Sequence, residues 1–307
     1  MTHTLFIDGA AGTTGLEIAQ RMAARPEFEL LILDDTQRKS AAARRDAYHA
    51  ADFAVLCLPD EAAVEAVALA EGSKVRIIDA SSAHRTAPGW TYGFPELIGR
   101  DRVAAAARVS NPGCYPTGFL ALLAPLIRQG LLPGDWPYTC HAVSGFSGGG
   151  KALIERFEAD GDIAYRDYGL AMGHKHVPEM QEYAGLAHAP LFAPAVVPAH
   201  RGMVVEVPLH LGMMKRAAPT DGLRDHLRHF YADSLVVRLN EETPDELLLR
   251  GSARPNDRLE LYVFGSKDGN QARLVAMLDN LGKGASGAAV QSLNLMAGLE
   301  ETAGLML

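Results

Sequence analysis

The chain has 307 residues, 48% hydrophobic and 21% charged, and its 29 basic against 37 acidic residues leave a formal charge of −8 at pH 7. Those figures describe an ordinary globular protein of about two domains and exclude a basic surface built for nucleic acid or anionic lipid. No apolar run reaches the roughly 18 residues of a spanning helix, and three widely spaced cysteines form neither a disulfide framework nor a cysteine-rich zinc site. A strand begins within a few residues of the start, so no signal or transit peptide is expected and the default location is the cytoplasm.

Residues 4–9 are a short apolar run ending in glycine, and residues 16–22 carry helical periodicity. Between them lies Gly9-Ala10-Ala11-Gly12-Thr13-Thr14-Gly15, a G-x-x-G-x-x-G loop that departs from the G-x-G-x-x-G form. Its place in the first βα turn predicts a dinucleotide pyrophosphate resting on Gly9, Ala11, Gly12, Thr13, Thr14 and Gly15 at the helix N-terminus. The plainer reading is a tight turn. Residues 28–35 predict a second strand, and the residues after it point both ways. Asp34 suits a ribose 2′-hydroxyl and NAD, whereas Arg38, Lys39 and Ser40 suit a 2′-phosphate. Residues 52–59 read as a third, buried strand with Cys57 in the core, and Asp60 as the cap of an alanine-rich helix over 61–71.

A fourth strand is predicted at 75–79 and the end of a fifth at 108–110. Strands alternating with helices indicate a Rossmann-like, doubly wound parallel sheet. Loops at the carboxyl ends of such strands carry ligands. The 79–85 loop therefore offers Ser81 to a cofactor and Arg85 as a guanidinium fork for carboxylate or phosphate. A solvated surface arginine is the alternative.

The central stretch is Ser110-Asn111-Pro112-Gly113-Cys114-Tyr115-Pro116-Thr117-Gly118, followed by an apolar helix that Gly130 stops. Asn111-Pro112-Gly113 supplies a turn, and Pro116 sits where a first-turn proline loses no useful N–H. Cys114 thus falls at a helix N-terminus, where free N–H groups and the positive dipole end stabilise a thiolate. That makes it a candidate nucleophile. A small buried cysteine is the competing reading.

Past Gly130 the pattern changes. Residues 139–144 look extended, Ser147-Gly148-Gly149-Gly150-Lys151 reads as a mobile or ligand-facing loop, and 203–211, 235–239 and 259–264 read as strands of a mostly antiparallel sheet. This predicts a second, α+β domain beginning near Cys114. His174 and His176 lie two apart ahead of a helix opened by Pro178 and Glu179, and histidine suits proton transfer near neutrality. Without a third ligand at convincing spacing, no metal is expected there. Arg201, at the mouth of a strand, suits an anionic substrate. Residues 284–294 form a small-residue helix, with Gly284 and Ala285 placed to approach a backbone or the cofactor.

The glycine loop, residues 79–85 and 92–96, Asn-Pro-Gly-Cys-Tyr-Pro-Thr at 111–117, His-x-His-x-Pro-Glu at 174–179, His200-Arg201 and residues 283–294 together resemble the N-acetyl-γ-glutamyl-phosphate reductases. The likeness covers almost the whole chain and is to the shorter form of that family, with an abbreviated connection between Asp34 and Asp52. The family is similar in design to aspartate-semialdehyde dehydrogenase and to the phosphorylating glyceraldehyde-phosphate enzymes. The resemblance implies a dinucleotide-binding domain over 1–113, with a C-terminal helix (280–307) packing back on it, and a catalytic and oligomerisation domain over 114–279. It implies NADP(H)-dependent reduction of an acyl phosphate through a Cys114 thioester, in arginine biosynthesis. His174 or His176 would assist proton transfer, with His174 favoured. Arg85, Asn111, Ser144, Gly148 and Arg201 would hold the substrate. The implied partners are the acyl phosphate, inorganic phosphate and other copies of the chain, as a homodimer or homotetramer. Rival readings are a reductase of aspartyl phosphate, a cysteine acyl-transferase or hydrolase whose glycine loop is merely structural, and a non-catalytic dinucleotide sensor.

Overall fold

The alternating apolar runs of the first third fold as parallel strands with helical crossovers. The computed structural model describes residues 2–307. They form two compact units: residues up to Gly113 with Ala285–Leu305, and Cys114–Gly284 with the last two residues. No helix among the described residues is long and apolar enough to cross a membrane.

The first unit runs β1 (His3–Asp8), α1 (Thr13–Met22), β2 (Phe28–Leu31), α2 (Ala41–Ala50), β3 (Phe53–Leu56), α3 (Asp60–Leu69), β4 (Arg76–Asp79), β5 (Thr91–Tyr92), α4 (Pro95–Ile98), α5 (Arg100–Ala105) and β6 (Arg108–Ser110). The strands are all parallel in the order β2-β1-β3-β4-β6-β5. Successive side chains on a strand point to opposite faces, so β1 feeds two cores. Leu5 and Ile7 pack with Ile18 of α1, while Phe6 packs with Ala47 and Tyr48 of α2 and with Ala63 and Ala66 of α3. Strand order reverses between β1 and its two neighbours, which opens a crevice at their carboxyl ends. The Gly9–Gly15 loop lies there.

Three local expectations are corrected. β2 stops at Leu31, because Asp34 turns the chain: its Oδ1 accepts the N–H of Thr36 and of Gln37 and the Thr36 hydroxyl, at 2.9, 2.8 and 2.7 Å. Cys57 lies just beyond β3 rather than inside a strand. Asp60 is the first residue of α3, not its cap; its carboxylate instead accepts the Ser82 N–H and hydroxyl, tying α3 to the loop after β4.

The second unit contains α6 (Cys114–Arg128), β7 (Thr139–Gly145), α7 (Gly150–Ala159), β8 (Arg166–Asp167), α8 (Val177–Ala184), β9 (Leu191–Val197), β10 (Met203–Leu209), α9 (Thr220–Phe230), β11 (Val237–Leu239), β12 (Leu259–Gly265) and β13 (Ala272–Leu278). Its seven strands form a mixed sheet in the order β11-β12-β13-β10-β7-β9-β8. The expected loop at 147–151 is a 3₁₀ turn, Phe146–Gly149, running straight into α7.

Helix α6 is apolar all round because it is buried all round. Its Gly118 lets it lie directly on the sheet: a Cβ there would come within 2.8 Å of Val205 and 3.3 Å of Ala276. Burying Phe119, Leu120, Leu122 and Leu123 contributes about 1.5–3 kcal/mol each, so the helix is a stiff platform for its first residue. Pro125, inside the helix, cannot donate to the carbonyl of Ala121. The hydroxyl of Tyr231 does so instead, at 2.9 Å.

The chain then returns to the first unit. A π-helical turn (Gly282–Ser286) precedes α10 (Gly287–Met296), so the final long helix starts three residues later than its small-residue pattern suggests. Asn294 anchors it there, accepting from Arg25 at 3.2 Å and donating to the carbonyls of Glu301 and Ala303.

Candidate active site

In the first unit, the glycine loop is shaped by close backbone approach. Gly9 has φ +91°, and a Cβ on it would stand 2.3 Å from the Cys57 carbonyl; one on Gly15 would stand 2.3 Å from the Gly9 carbonyl. Helix α1 starts from Gly12 with no side-chain cap, leaving Thr13 and Thr14 as its first residues. A turn whose Gly9 and Gly15 leave no room for a Cβ, ending on uncapped helix N–H groups, fits a dinucleotide pyrophosphate. At the end of β2, hydrogen bonds from Thr36 and Gln37 hold the Asp34 carboxyl below its ordinary range. Arg38 stands half-exposed against Asp35 at 2.9 Å.

The loop after β4 is pinned by Asp79, which is fully buried. Its Oδ1 accepts the Ser81 N–H at 2.9 Å. Its Oδ2 accepts the Ser81 hydroxyl at 2.7 Å and lies 2.6 Å from His84 Nδ1. The His84 ring stacks on Trp90, with centroids 4.2 Å apart. So held, the loop presents Arg85, whose Nε donates to the Asn111 carbonyl at 3.1 Å. The N–H of Asn111 donates to the Asp79 carbonyl at 2.7 Å, and its Nδ2 to Ala285 O at 3.0 Å. Its side-chain Oδ1 is buried with no protein partner, an acceptor left over for a ligand.

In the second unit, half-buried Cys114 is the first residue of α6, as its position after Asn-Pro-Gly predicts. Gly284 backs onto it: a Cβ there would lie 2.9 Å from the Cys114 Cβ and 3.0 Å from the Asp279 carbonyl. The expected histidines gather around the residue after the cysteine. The ring of His174 lies 6.1 Å from that of Tyr115 and the ring of His176 lies 5.8 Å from it; the two histidine rings are 4.7 Å apart. His174 also meets Tyr168 and Phe192 edge-on, and its Nδ1 accepts the His176 backbone N–H at 3.1 Å. That bond places the neutral ring's proton on Nε2. Tyr168 donates to the Tyr115 hydroxyl, which donates to the Ala195 carbonyl. Burial first, with a contribution from Cys114, pushes the Tyr168 hydroxyl up to about 12, so it remains a donor at neutral pH.

Arg201 Nη1 donates to Asp279 Oδ2 at 2.7 Å. Asn280 Oδ1 accepts the Gly202 N–H at 2.9 Å, and its Nδ2 donates to Ser147 Oγ at 2.9 Å. Ser144 donates to the Gly145 carbonyl, and its Oγ would lie 3.3 Å from a Cβ on Gly148. Sheet register explains the gathering. Met203 pairs with Leu278 on one side and with Ser144 on the other, so the residues just beyond those pairs converge. Tyr115, Tyr168, Asp279 and Asn280 escaped the sequence reading. Asp279 and Asn280 directly precede the 283–294 stretch, yet only the pairing of β10 with β13 reveals their proximity to Arg201.

The three thiols differ in setting. Burial, with help from Asp79 and Asp8, pushes Cys57 up to about 12, and burial raises Cys140 as well. Iodoacetamide at neutral pH should therefore alkylate Cys114 at least about a hundredfold faster than either, because only the thiolate reacts. Peptide mapping that found Cys57 or Cys140 labelled first would remove Cys114 as the nucleophile.

Comparison with known proteins agrees with the two-unit fold. Residues 5–106 match the family model of the semialdehyde dehydrogenase NAD binding domain, and residues 114–280 that of the semialdehyde dehydrogenase dimerisation domain. An N-acetyl-γ-glutamyl-phosphate reductase 2 from Nostoc is 46% identical over 98% of both chains. An N-acetyl-γ-glutamyl-phosphate reductase from Burkholderia cenocepacia is 48% identical over 98% of this chain and 99% of its own. Among solved structures, aspartate semialdehyde dehydrogenase II from Vibrio cholerae superposes with a TM-score of 0.72 over 97% of this chain and 99% of its own, at 16% identity, a likeness of fold. With family models spanning both units and relatives near half identity along nearly the whole length, the chain belongs to the N-acetyl-γ-glutamyl-phosphate reductase family of semialdehyde dehydrogenases.

Proposed function

We propose that this protein reduces N-acetyl-γ-glutamyl phosphate to the γ-semialdehyde and phosphate with NADPH, as a step of arginine biosynthesis. The observation that carries the reading is Cys114 at the head of a rigid, buried helix, with both histidine rings packed on Tyr115 beside it. A hydrolase would share the cysteine but has no use for the glycine cradle, and a sensor would share the cradle but has no use for the cysteine.

The Cys114 thiolate attacks the acyl carbon, the carbonyl oxygen becomes an oxyanion, and collapse expels phosphate to leave a thioester. NADPH, held by the glycine loop of the first unit, would supply the hydride that reduces this thioester. A second oxyanion forms, and its collapse releases aldehyde and returns the Cys114 thiolate. Backbone N–H groups in the first turn of α6 and His174 Nε2–H stabilise the negative oxygen in both intermediates. Arg201 and the 3₁₀ turn at Ser147–Gly148 take the anionic groups of the substrate. In the first unit, Gly9, Ala11, Gly12, Thr13, Thr14 and Gly15 cradle the pyrophosphate, with Ser81 and Ala285 as further contacts. Arg38, half-exposed in the 3₁₀ turn between β2 and α2, receives the 2′-phosphate. Arg85 and Asn111 present donors and an acceptor from the same unit.

The oligomer forms through the second unit's sheet. Val143, Val204 and Met277 make a half-buried cross-strand row on the face opposite α6, and the rings of Tyr262 and Phe264 stack on strand β12. A sheet face that carries this apolar row beside the Arg273–Glu206 ion pair suits a second copy of the chain, giving at least a homodimer.

The purified protein should form NADPH from N-acetylglutamate semialdehyde, NADP⁺ and phosphate, and fluorescence titration should show tighter binding of NADPH than of NADH. Preference for NADH would return the weight to Asp34 at the end of β2. His174→Asn should lower kcat by roughly 10²–10⁴-fold, the range of a positioned acid or base, with His176→Asn costing far less. Equal, small losses at both positions would take the histidines out of oxyanion stabilisation.

A further inference from the structure

We propose that Asn280 is a positioning residue that holds the two halves of the phosphate-binding cradle in register. The inference rests on the acyl-phosphate reading above. Asn280 is buried, and its side-chain amide is divided between two partners: the oxygen accepts the Gly202 N–H and the nitrogen donates to Ser147 Oγ, each at 2.9 Å. A side-chain amide offers an acceptor and a donor on the two arms of one planar group, and both are used here.

Each partner controls one half of the cradle. The Gly202 N–H belongs to the peptide unit that follows Arg201, so fixing it fixes the backbone from which the guanidinium projects. Gly202 itself is held at φ +104°, where a Cβ would stand 2.3 Å from Leu249, so the turn tolerates little else. Ser147 sits in the Phe146–Gly149 turn that leads into α7, and its N–H donates to the His200 carbonyl at 3.2 Å. Asn280 Nδ2 would lie 3.4 Å from a Cβ on Gly148, so the brace also reaches the backbone of that turn. The next residue back, Asp279, takes Arg201 on its carboxylate and the Gly284 N–H on its carbonyl, at 2.7 and 3.0 Å, and Gly284 is the residue against Cys114. Two consecutive residues at the end of β13 therefore tie the anion-binding arginine, the serine turn and the backing of the nucleophile to one point. Placement of this kind is what orients a second reactant, and small displacements are costly.

The test is a double-mutant cycle in the aldehyde-oxidising direction, with inorganic phosphate as the varied reactant. Asn280→Ala and Ser147→Ala should each raise the KM for phosphate about tenfold while kcat stays within about threefold. The double variant should add less than about threefold to either. NADP⁺ affinity, the rate of Cys114 alkylation and the melting temperature of Ser147→Ala should stay near wild type. Unchanged phosphate KM in the single variants overturns the proposal, and so do fully multiplicative effects or a parallel fall of kcat and alkylation rate. If Asn280→Ala fails to fold, Asn280→Asp, which keeps an oxygen toward Gly202 and loses the donor to Ser147, takes its place in the cycle: a phosphate KM within twofold of wild type overturns the proposal. Wild-type turnover that needs no phosphate would instead sink the acyl-phosphate reading on which the inference rests, so the two failures are distinguishable.

Discussion

Cys114→Ser is expected to abolish reduction of the acyl phosphate, by about 10⁴-fold or more, with NADPH still bound at wild-type affinity. The substitution is close to isosteric, so the tight contact with Gly284 and the packing of Tyr115 survive it. What is lost is the nucleophile: a hydroxyl at the same helix N-terminus stays protonated at neutral pH, whereas a thiol there ionises readily. Neither remaining cysteine can substitute, since both thiols are raised by burial. Steady-state rates, single-turnover phosphate release and fluorescence titration of cofactor together check the expectation. Retention of more than a few per cent of the wild-type rate would mean that the acyl group is never carried on this residue.

In the oxidative direction, NADP⁺ and the semialdehyde should yield one equivalent of NADPH per site and then stall unless phosphate is present. A thioester can be released by water or by phosphate, and the structure favours phosphate. Arg201 and the Ser147 turn stand at the ends of neighbouring strands in the same unit as Cys114, and the nearest carboxylate in that group, Asp279, accepts from Arg201, Leu281 N–H and Asn256 N–H. So occupied, it is poorly placed to activate a water. Phosphate or arsenate should restore steady turnover, and Arg201→Ala should raise the concentration required by about tenfold or more, as removal of a charge-assisted contact does. Sustained NADPH formation in phosphate-free buffer would contradict the acyl-phosphate mechanism.

Much of the architecture could be read from residue order alone, because it depends on short-range chemistry. Glycines at 9, 12 and 15 between an apolar run and a helical one admit few conformations other than a βα turn, and the turn is there. Asn-Pro-Gly ahead of Cys114 and Gly130 behind the helix bracket α6 to within two residues, since turn formation and helix termination are settled locally; Gly130 adopts φ +73° as a stop requires. The two histidines could be recognised as a pair, but not what surrounds them. Strand ends were less legible: β2 is shortened by the hydrogen bonds of Asp34, and α10 is delayed by a π-helical turn.

What only the tertiary structure decided are the meetings of residues far apart in the chain. Tyr231 serves the carbonyl that Pro125 leaves open, 110 positions away from Ala121. Asn280 reaches Ser147 and Gly202 because β7, β10 and β13 lie side by side in one register. Periodicity reveals which face of a strand is buried, but the choice of neighbouring strand is a global outcome of packing, and the residues that organise a site from behind are chosen with it.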